Sequence, residues 1–249
     1  MDFLEGEVLY FNKPLHWTSF YLVKQIRNRL SRRLKVKKFK VGHAGTLDPL
    51  ASGVMILCTG KATKLIESFQ YQTKEYVATL RLGETTPSFD QETEVDKTFP
   101  TEHINRELVE DTLKKFVGSI WQVPPVYSAV KVDGKRAYEL ARKGEEVELK
   151  AKELVIDEIE LLSYDLPEVT IRVVCSKGTY IRALARDIGE ALNSGAHLTG
   201  LIRTRIGEVT LAQCQDAEKI DEFLDKHFPA AAESTEQTPA GSDLQEKDL

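Results

Sequence analysis

VGHAGTLDPLASGVMILCTGKATK, residues 41–64, gathers Gly42, Gly45, Gly53 and a proline around one carboxylate, Asp48, and then runs into the apolar VMILC. Glycine lets a chain turn sharply or approach another backbone closely, and a short apolar run between turn signals reads as a buried strand. The stretch predicts a tight corner that delivers a lone acid to the edge of a core. Because Asp-Pro is also a common turn opener, the local pattern leaves two readings of Asp48, turn former and reacting group.

Outward from the corner, strand and helix periods interleave. VLYF (8–11) ahead of the turn signal NKP, EYVATLRLG (75–83), ELVIDEIELLSY (153–164) and VTIRVVCS (169–176) are β-branched or alternating and predict strands. TSFYLVKQIRNRL (18–30) predicts a helix capped by Thr18 or Ser19, with Phe20, Val23, Ile26 and Leu30 on one face. INRELVEDTLKKFVG (104–118), RAYELARKG (136–144) and YIRALARDIGEALNSG (180–195) predict helices closed by glycine. No regular βαβ repeat is present, so the expected class is α/β (α+β): a mixed, largely antiparallel central sheet flanked by helices and loops, over residues 1–215. A short helix is expected in 216–228, and 229–249, almost devoid of large apolar residues, reads as a disordered acidic tail.

With 249 residues and 41% hydrophobic side chains, the chain can bury a sizeable core. No run approaches the roughly 18 apolar residues of a membrane span, and the start lacks the regions of a secretory signal, so a cytoplasmic protein is expected. Cys58, Cys175 and Cys214 lie far apart and predict buried free thiols. The histidines form no HExxH and no CxxC is present, so no metal is expected.

The net charge of −5 hides an asymmetry: residues 216–249 hold ten acids and three bases, whereas residues 8–47 hold ten Lys or Arg and no acid. Such a cluster is what a phosphate backbone attracts. A solvated helix face is the alternative, and the complete absence of acids favours a polyanion.

Several chemistries fail on the corner itself. A phosphate-binding P-loop would need Gly at Met55 and a hydroxyl at Ala62. A serine hydrolase would need a GxSxG elbow, which the chain lacks. Glycosidases use two carboxylates, and Asp48 is the one acid between Glu7 and Glu67.

Longer stretches then point one way. VGHAGTLDPLASGVMILCTGKATK, KEYVATLRLG, VPPVYSAVKVDGKRAYELARKG and CSKGTYIRALARDIGEALNSGAHL, with YFNKPLHWTS before and IRTRIG after them, resemble the bacterial TruB type of tRNA pseudouridine synthase. Several long motifs in family order are far more specific than one short pattern. The resemblance implies the pseudouridine synthase fold and isomerisation of uridine 55 in the tRNA T-loop. The glycosidic bond to ring N1 breaks, the base rotates, and C5 is joined to the ribose. No cofactor is needed.

By the same resemblance Asp48 is the catalytic aspartate, paired with Arg182. An ordinary aspartate, with pKa about 3.9, is ionised at neutral pH and can act as nucleophile or base. Attack on the anomeric carbon, attack on ring C6 and abstraction of a ribose proton are all open to it. The resemblance further implies that His43 supports the space vacated by a flipped base, that Tyr76 stacks on the base and handles the C5 proton, and that Lys64, Tyr180 and Leu201 line the site. The basic run Lys24, Arg27, Arg32, Arg33, Lys35, Lys37, Lys38 and Lys40, with Lys131, Lys135, Arg136, Arg142 and Lys143, is expected to contact the T-arm phosphates. The expected enzyme is a monomer that needs no protein partner.

Two departures from the family stand out. The residues after IRTRIG do not spell a complete C-terminal RNA-binding module of the PUA type, and Ile202 stands where many relatives are expected to carry arginine. A non-catalytic RNA chaperone and the guide-RNA-dependent branch of the superfamily are the alternative functions.

Overall fold

The computed structural model describes residues 1–228 apart from 129, 133, 142 and 146, and at 131 the backbone alone. The expected tail 229–249, Arg142 and the side chain of Lys131 lie outside the described residues.

The chain opens with β1 (Val8–Lys13), α1 (Ser19–Arg33), β2 (Val41–His43) and β3 (Ser52–Thr59). A 3-10 turn, Gly60–Leu65, leads through α2 (Ile66–Tyr71) to β4 (Lys74–Leu82) and the small pair β5 (Glu84–Thr85) and β6 (Lys97–Thr98). Next come α3 (Arg106–Lys114), β7 (Gly118–Gln122), the hairpin β8 (Lys131–Val132) and β9 (Lys135–Arg136), and α4 (Ala137–Ala141). β10 (Lys152–Asp165), β11 (Glu168–Cys175), α5 (Ile181–Ala191) and β12 (Ala196–Ile206) complete the centre. β13 (Val209–Thr210), β14 (Gln215–Asp216) and α6 (Ile220–Asp225) follow.

Among the described residues the main sheet runs β14-β1-β3-β12-β4-β11-β10-β7, with β2 on β3 and β13 on β12. Only the β14–β1 and β3–β12 pairs are parallel. The expected mixed, largely antiparallel sheet is therefore present, and its topology follows from the side chains. β4 alternates without a break, turning Lys74, Tyr76, Ala78, Leu80 and Leu82 inward. β3 shows no alternation because both of its faces are covered: Met55 and Leu57 enter the large core, and Val54, Ile56 and Cys58 a smaller one with Ile206 and Val209.

In α1 the Thr18 hydroxyl accepts from the Tyr21 N–H, and Leu22, Val23, Ile26 and Leu30 face the core. Phe20, expected on that face, is 65% exposed; Leu22 takes the inward position instead. α5 ends not on glycine but on Asn193, whose φ of 52° supplies the left-handed residue after Leu192. α6 is no appendage: Ile220, Phe223 and Leu224 are buried, and Phe223 meets Phe11 edge-on at 5.5 Å.

All three cysteines are free, and burial pushes each thiol up to about 11. Among the described residues no helix is long and apolar enough to cross a membrane, and no group of His, Cys, Asp and Glu is placed to hold a metal.

Candidate active site

The corner is the loop from β2 to β3, and three neighbours clamp it. The Ser19 hydroxyl donates to the Leu47 carbonyl at 2.8 Å and accepts from the Leu47 N–H at 2.7 Å. His16 donates its N–H to the Pro49 carbonyl at 2.7 Å. From β12 the buried Arg203 guanidinium donates to the carbonyls of Val54, Thr46 and Gly45. Gly53 makes this approach possible: its φ is +117°, and a Cβ there would lie 2.2 Å from the Arg203 carbonyl oxygen. What the clamps leave open is the Asp48 side chain, 38% exposed.

Arg182, in the first turn of α5, meets it. Its Nε donates to Asp48 Oδ2 at 2.9 Å, Nη1 to the Ser88 carbonyl at 3.1 Å and Nη2 to the Tyr127 carbonyl at 3.0 Å. A second acid, Asp90, lies 3.6 Å from the same Nε with its side chain 7% exposed. The expectation that Asp48 stands alone holds along the chain and fails in space. Asp90 comes from the loop after β5, where its carboxylate accepts from the Ser88 hydroxyl at 2.6 Å and the Glu92 N–H at 2.9 Å. In that loop Phe89 has φ 63°, an unusual value for a bulky residue, under the Arg186 guanidinium at 4.8 Å.

Asp48, Asp90, Arg182 and Leu201 line one narrow cleft with Leu198, Thr199 and Gly200 from β12. Its free space, about 20 Å³, suits one water molecule. Tyr76 is buried on β4, facing Arg203 across the sheet. Burial pushes its phenol up, against the opposing pull of the Arg203 guanidinium and with a smaller push from Asp48, so the ring carries a neutral hydroxyl. Tyr180, the residue before α5, is shifted up in the same way by burial and then by Asp48, and its N–H is held by Gln122 Oε1 at 2.9 Å. His43 ends β2 at the mouth of the loop, where burial pushes its imidazole down and keeps it neutral.

Lys64 is not brought to the cleft. It is exposed on the 3-10 turn beyond the far end of β3, and an eight-residue strand is about 23 Å long. Lys13 and Arg203, which lie within YFNKPLHWTS and IRTRIG without an expected role, are close instead. Lys13 Nζ donates to the carbonyls of Pro14 and Trp17, and burial lowers its ammonium to about 8 although Asp48 draws it upward.

Of the expected phosphate contacts, Arg27, Arg32, Lys37, Lys38 and Lys40 line a hollow of about 630 Å³ between α1 and β2. Lys24 and Lys35 are exposed beside it, and Lys135, Arg136 and Lys143 are exposed on the segment before β10. Arg33 is engaged elsewhere: its guanidinium is bonded to Asp221 and Asp225 of α6, so that charge is largely neutralised within the chain. Ile202 is 40% exposed on β12.

A mixed sheet with a carboxylate and a guanidinium at one cleft agrees with the expected pseudouridine synthase fold, and the comparison with solved structures shows that fold. The solved structure titled "Crystal Structure of a Cbf5-Nop10-Gar1 Complex" aligns over 90% of the chain at a TM-score of 0.66 and 28% identity. The alignment spans 55% of that protein's chain. Residues 31–181 match the N-terminal domain of TruB family pseudouridylate synthases. Proteins named tRNA pseudouridine synthase B are 74% identical in Parabacteroides distasonis, over 91% of this chain and 97% of that one, and 52% identical in Flavobacterium johnsoniae, over 90% and 98%. The chain belongs to the TruB family and is an enzyme of that family, a pseudouridine synthase.

Proposed function

We propose that the chain converts uridine 55 in the T-loop of tRNA to pseudouridine, with Asp48 as the reacting group. The carrying observation is the 2.9 Å Asp48–Arg182 pair at the cleft. In the isomerisation the bond from the ribose to N1 breaks and a bond to C5 forms. The C5 proton leaves and N1 gains one, so neither electrons nor a donated group are required. What is required is an ionised acid at the glycosidic bond, a wall for the base and a way to reach it.

Arg182 donates to Asp48 Oδ2 and holds the carboxylate in one orientation at the cleft. Tyr76, with a neutral phenol, offers a ring face for stacking and is a poor acceptor for the C5 proton; Leu201 and Tyr180 complete the walls. The base reaches Asp48 after flipping out of the RNA, at a cost of a few kcal/mol. His43, neutral at the loop mouth, is suited to fill the vacated position. Lys24, Arg27, Arg32, Lys35, Lys37, Lys38 and Lys40, with Lys131, Lys135 and Arg136, would hold the T-arm backbone. Exposed and remote from the cleft, Lys64 belongs with these phosphate contacts, and Arg33 leaves the set. The relatives' names support tRNA as the substrate, and the enzyme acts alone, as a monomer, in the cytoplasm.

A guide-dependent reading draws on the likeness to proteins solved in complexes, one titled as an H/ACA RNP bound to a substrate RNA. Against it stands the far higher identity to proteins named tRNA pseudouridine synthase B, which the chain spans almost fully. The deciding experiment gives purified protein an unmodified tRNA transcript and maps pseudouridine by chemical labelling and primer extension, beside Asp48→Asn. A stop at the T-loop position with the wild type alone is expected. Salt-sensitive binding with no stop from either protein would overturn the proposal in favour of a chaperone or a guide-dependent enzyme.

A further inference from the structure

We propose that the outer face of α1 is an RNA track that continues from the cleft, with Phe20 and Tyr21 as a platform on which an unpaired base next to the target nucleotide stacks. This rests on the RNA reading above and names a contact that reading lacks. Leu15, Phe20 and Tyr21 are 50%, 65% and 42% exposed, an apolar cluster the core does not use. Trp17 stands edge-on to the Tyr21 ring at 4.7 Å and fixes it. The cluster adjoins the reacting loop, since His16 is bonded to Pro49 and Ser19 to Leu47 on either side of Asp48.

The rest of the helix says what covers the cluster. Phe20, Lys24, Arg27 and Ser31 are spaced four, three and four apart, one stripe of a helix, and Arg27 and Ser31 are already in the wall of the basic hollow. The stripe is about 16 Å long, several nucleotides of stacked strand. An apolar protein partner would meet cations two turns along, and residues 8–47 contain no acid. Aromatic faces leading into cations suit single-stranded nucleic acid, whose bases stack and whose phosphates pair. Base-stacking at the cleft end and phosphate contacts at the hollow follow.

The test measures affinity for an unmodified tRNA transcript across a salt series, and pseudouridine formation, for the full chain, Phe20→Ala/Tyr21→Ala and Lys37→Gln/Lys38→Gln. The aromatic double variant should bind roughly tenfold more weakly with an unchanged salt slope, and Phe20→Trp/Tyr21→Phe should restore binding. The lysine variant should lower the slope by about 2. Matching thermal midpoints establish that each variant is folded, as these exposed positions allow. In a Trp121→Phe background, RNA should quench the remaining Trp17 fluorescence. If the wild type forms pseudouridine and the aromatic double variant binds as tightly, the platform is refuted and the proposed function survives. A wild type that neither binds nor modifies tRNA refutes both.

Discussion

Arg182 is the residue on which the site turns. Its planar fork serves Asp48, Asp90 and two backbone carbonyls at once, which the single ammonium of a lysine cannot do. Of the two acids it balances, Asp90 is the buried one and Asp48 the exposed one, so one carboxylate braces the loop and the other opens to the cleft. Arg182→Met would leave Asp90 buried without its cation, and breaking such a pair costs about 3–5 kcal/mol. Urea unfolding should show a loss of that order, part of it recovered in Arg182→Met/Asp90→Asn, where no buried charge is left stranded. A loss under about 1 kcal/mol would mean that Asp90 finds another partner and that the pair does not brace the loop. Asp48 and Arg182 were legible through long motifs. Asp90 was not, because its meeting with them joins loops that are distant in sequence.

At the level of elements, the corner depends on β3 and β12 lying side by side, and β12 is the strand the sequence hid. Its burial should alternate, yet register shifts between Leu198 and Gly200 and between Arg203 and Arg205 break the period of two, so AHLTGLIRTRI reads as neither strand nor helix. The unbroken alternation of β4 and the apolar run of β3 were plain by contrast. Similarly, α1 was placed correctly while Phe20 was turned the wrong way, since a bulky apolar side chain reads as core unless a surface role is known. The β3–β12 contact has a direct test in Gly53→Ala. The added Cβ would overlap the Arg203 backbone in a left-handed conformation, and such strain alone costs of order 1–3 kcal/mol. A drop of more than about 2 kcal/mol in thermal or urea unfolding is expected, with pseudouridine formation lost as the loop shifts. Wild-type stability in Gly53→Ala would show that the two strands separate freely and that Arg203 does not clamp the corner.

Across the whole molecule the charge asymmetry becomes a contact. Among the acidic residues that follow β14, Asp221 and Asp225 of α6 reach α1, where Asp221 accepts from Arg29 Nε at 2.9 Å and both acids hold Arg33. Partners 192 residues apart leave no trace in a local charge pattern, so the run of cations in residues 8–47 read as uniformly available when two of its arginines are engaged. The acids are more than half exposed, and exposed pairs of this kind contribute about 0–1 kcal/mol each; the burial of Ile220, Phe223 and Leu224 holds α6 in place without them. Asp221→Asn/Asp225→Asn should therefore leave the unfolding midpoint nearly unchanged while freeing two guanidiniums on α1. Each freed cation that reaches a phosphate adds roughly 0.7–0.9 to the slope of log affinity against log salt, so tRNA binding should tighten at low salt and weaken more steeply as salt is added. An unchanged slope would mean that Arg29 and Arg33 face away from the bound RNA and that α6 serves only to hold α1 against the sheet.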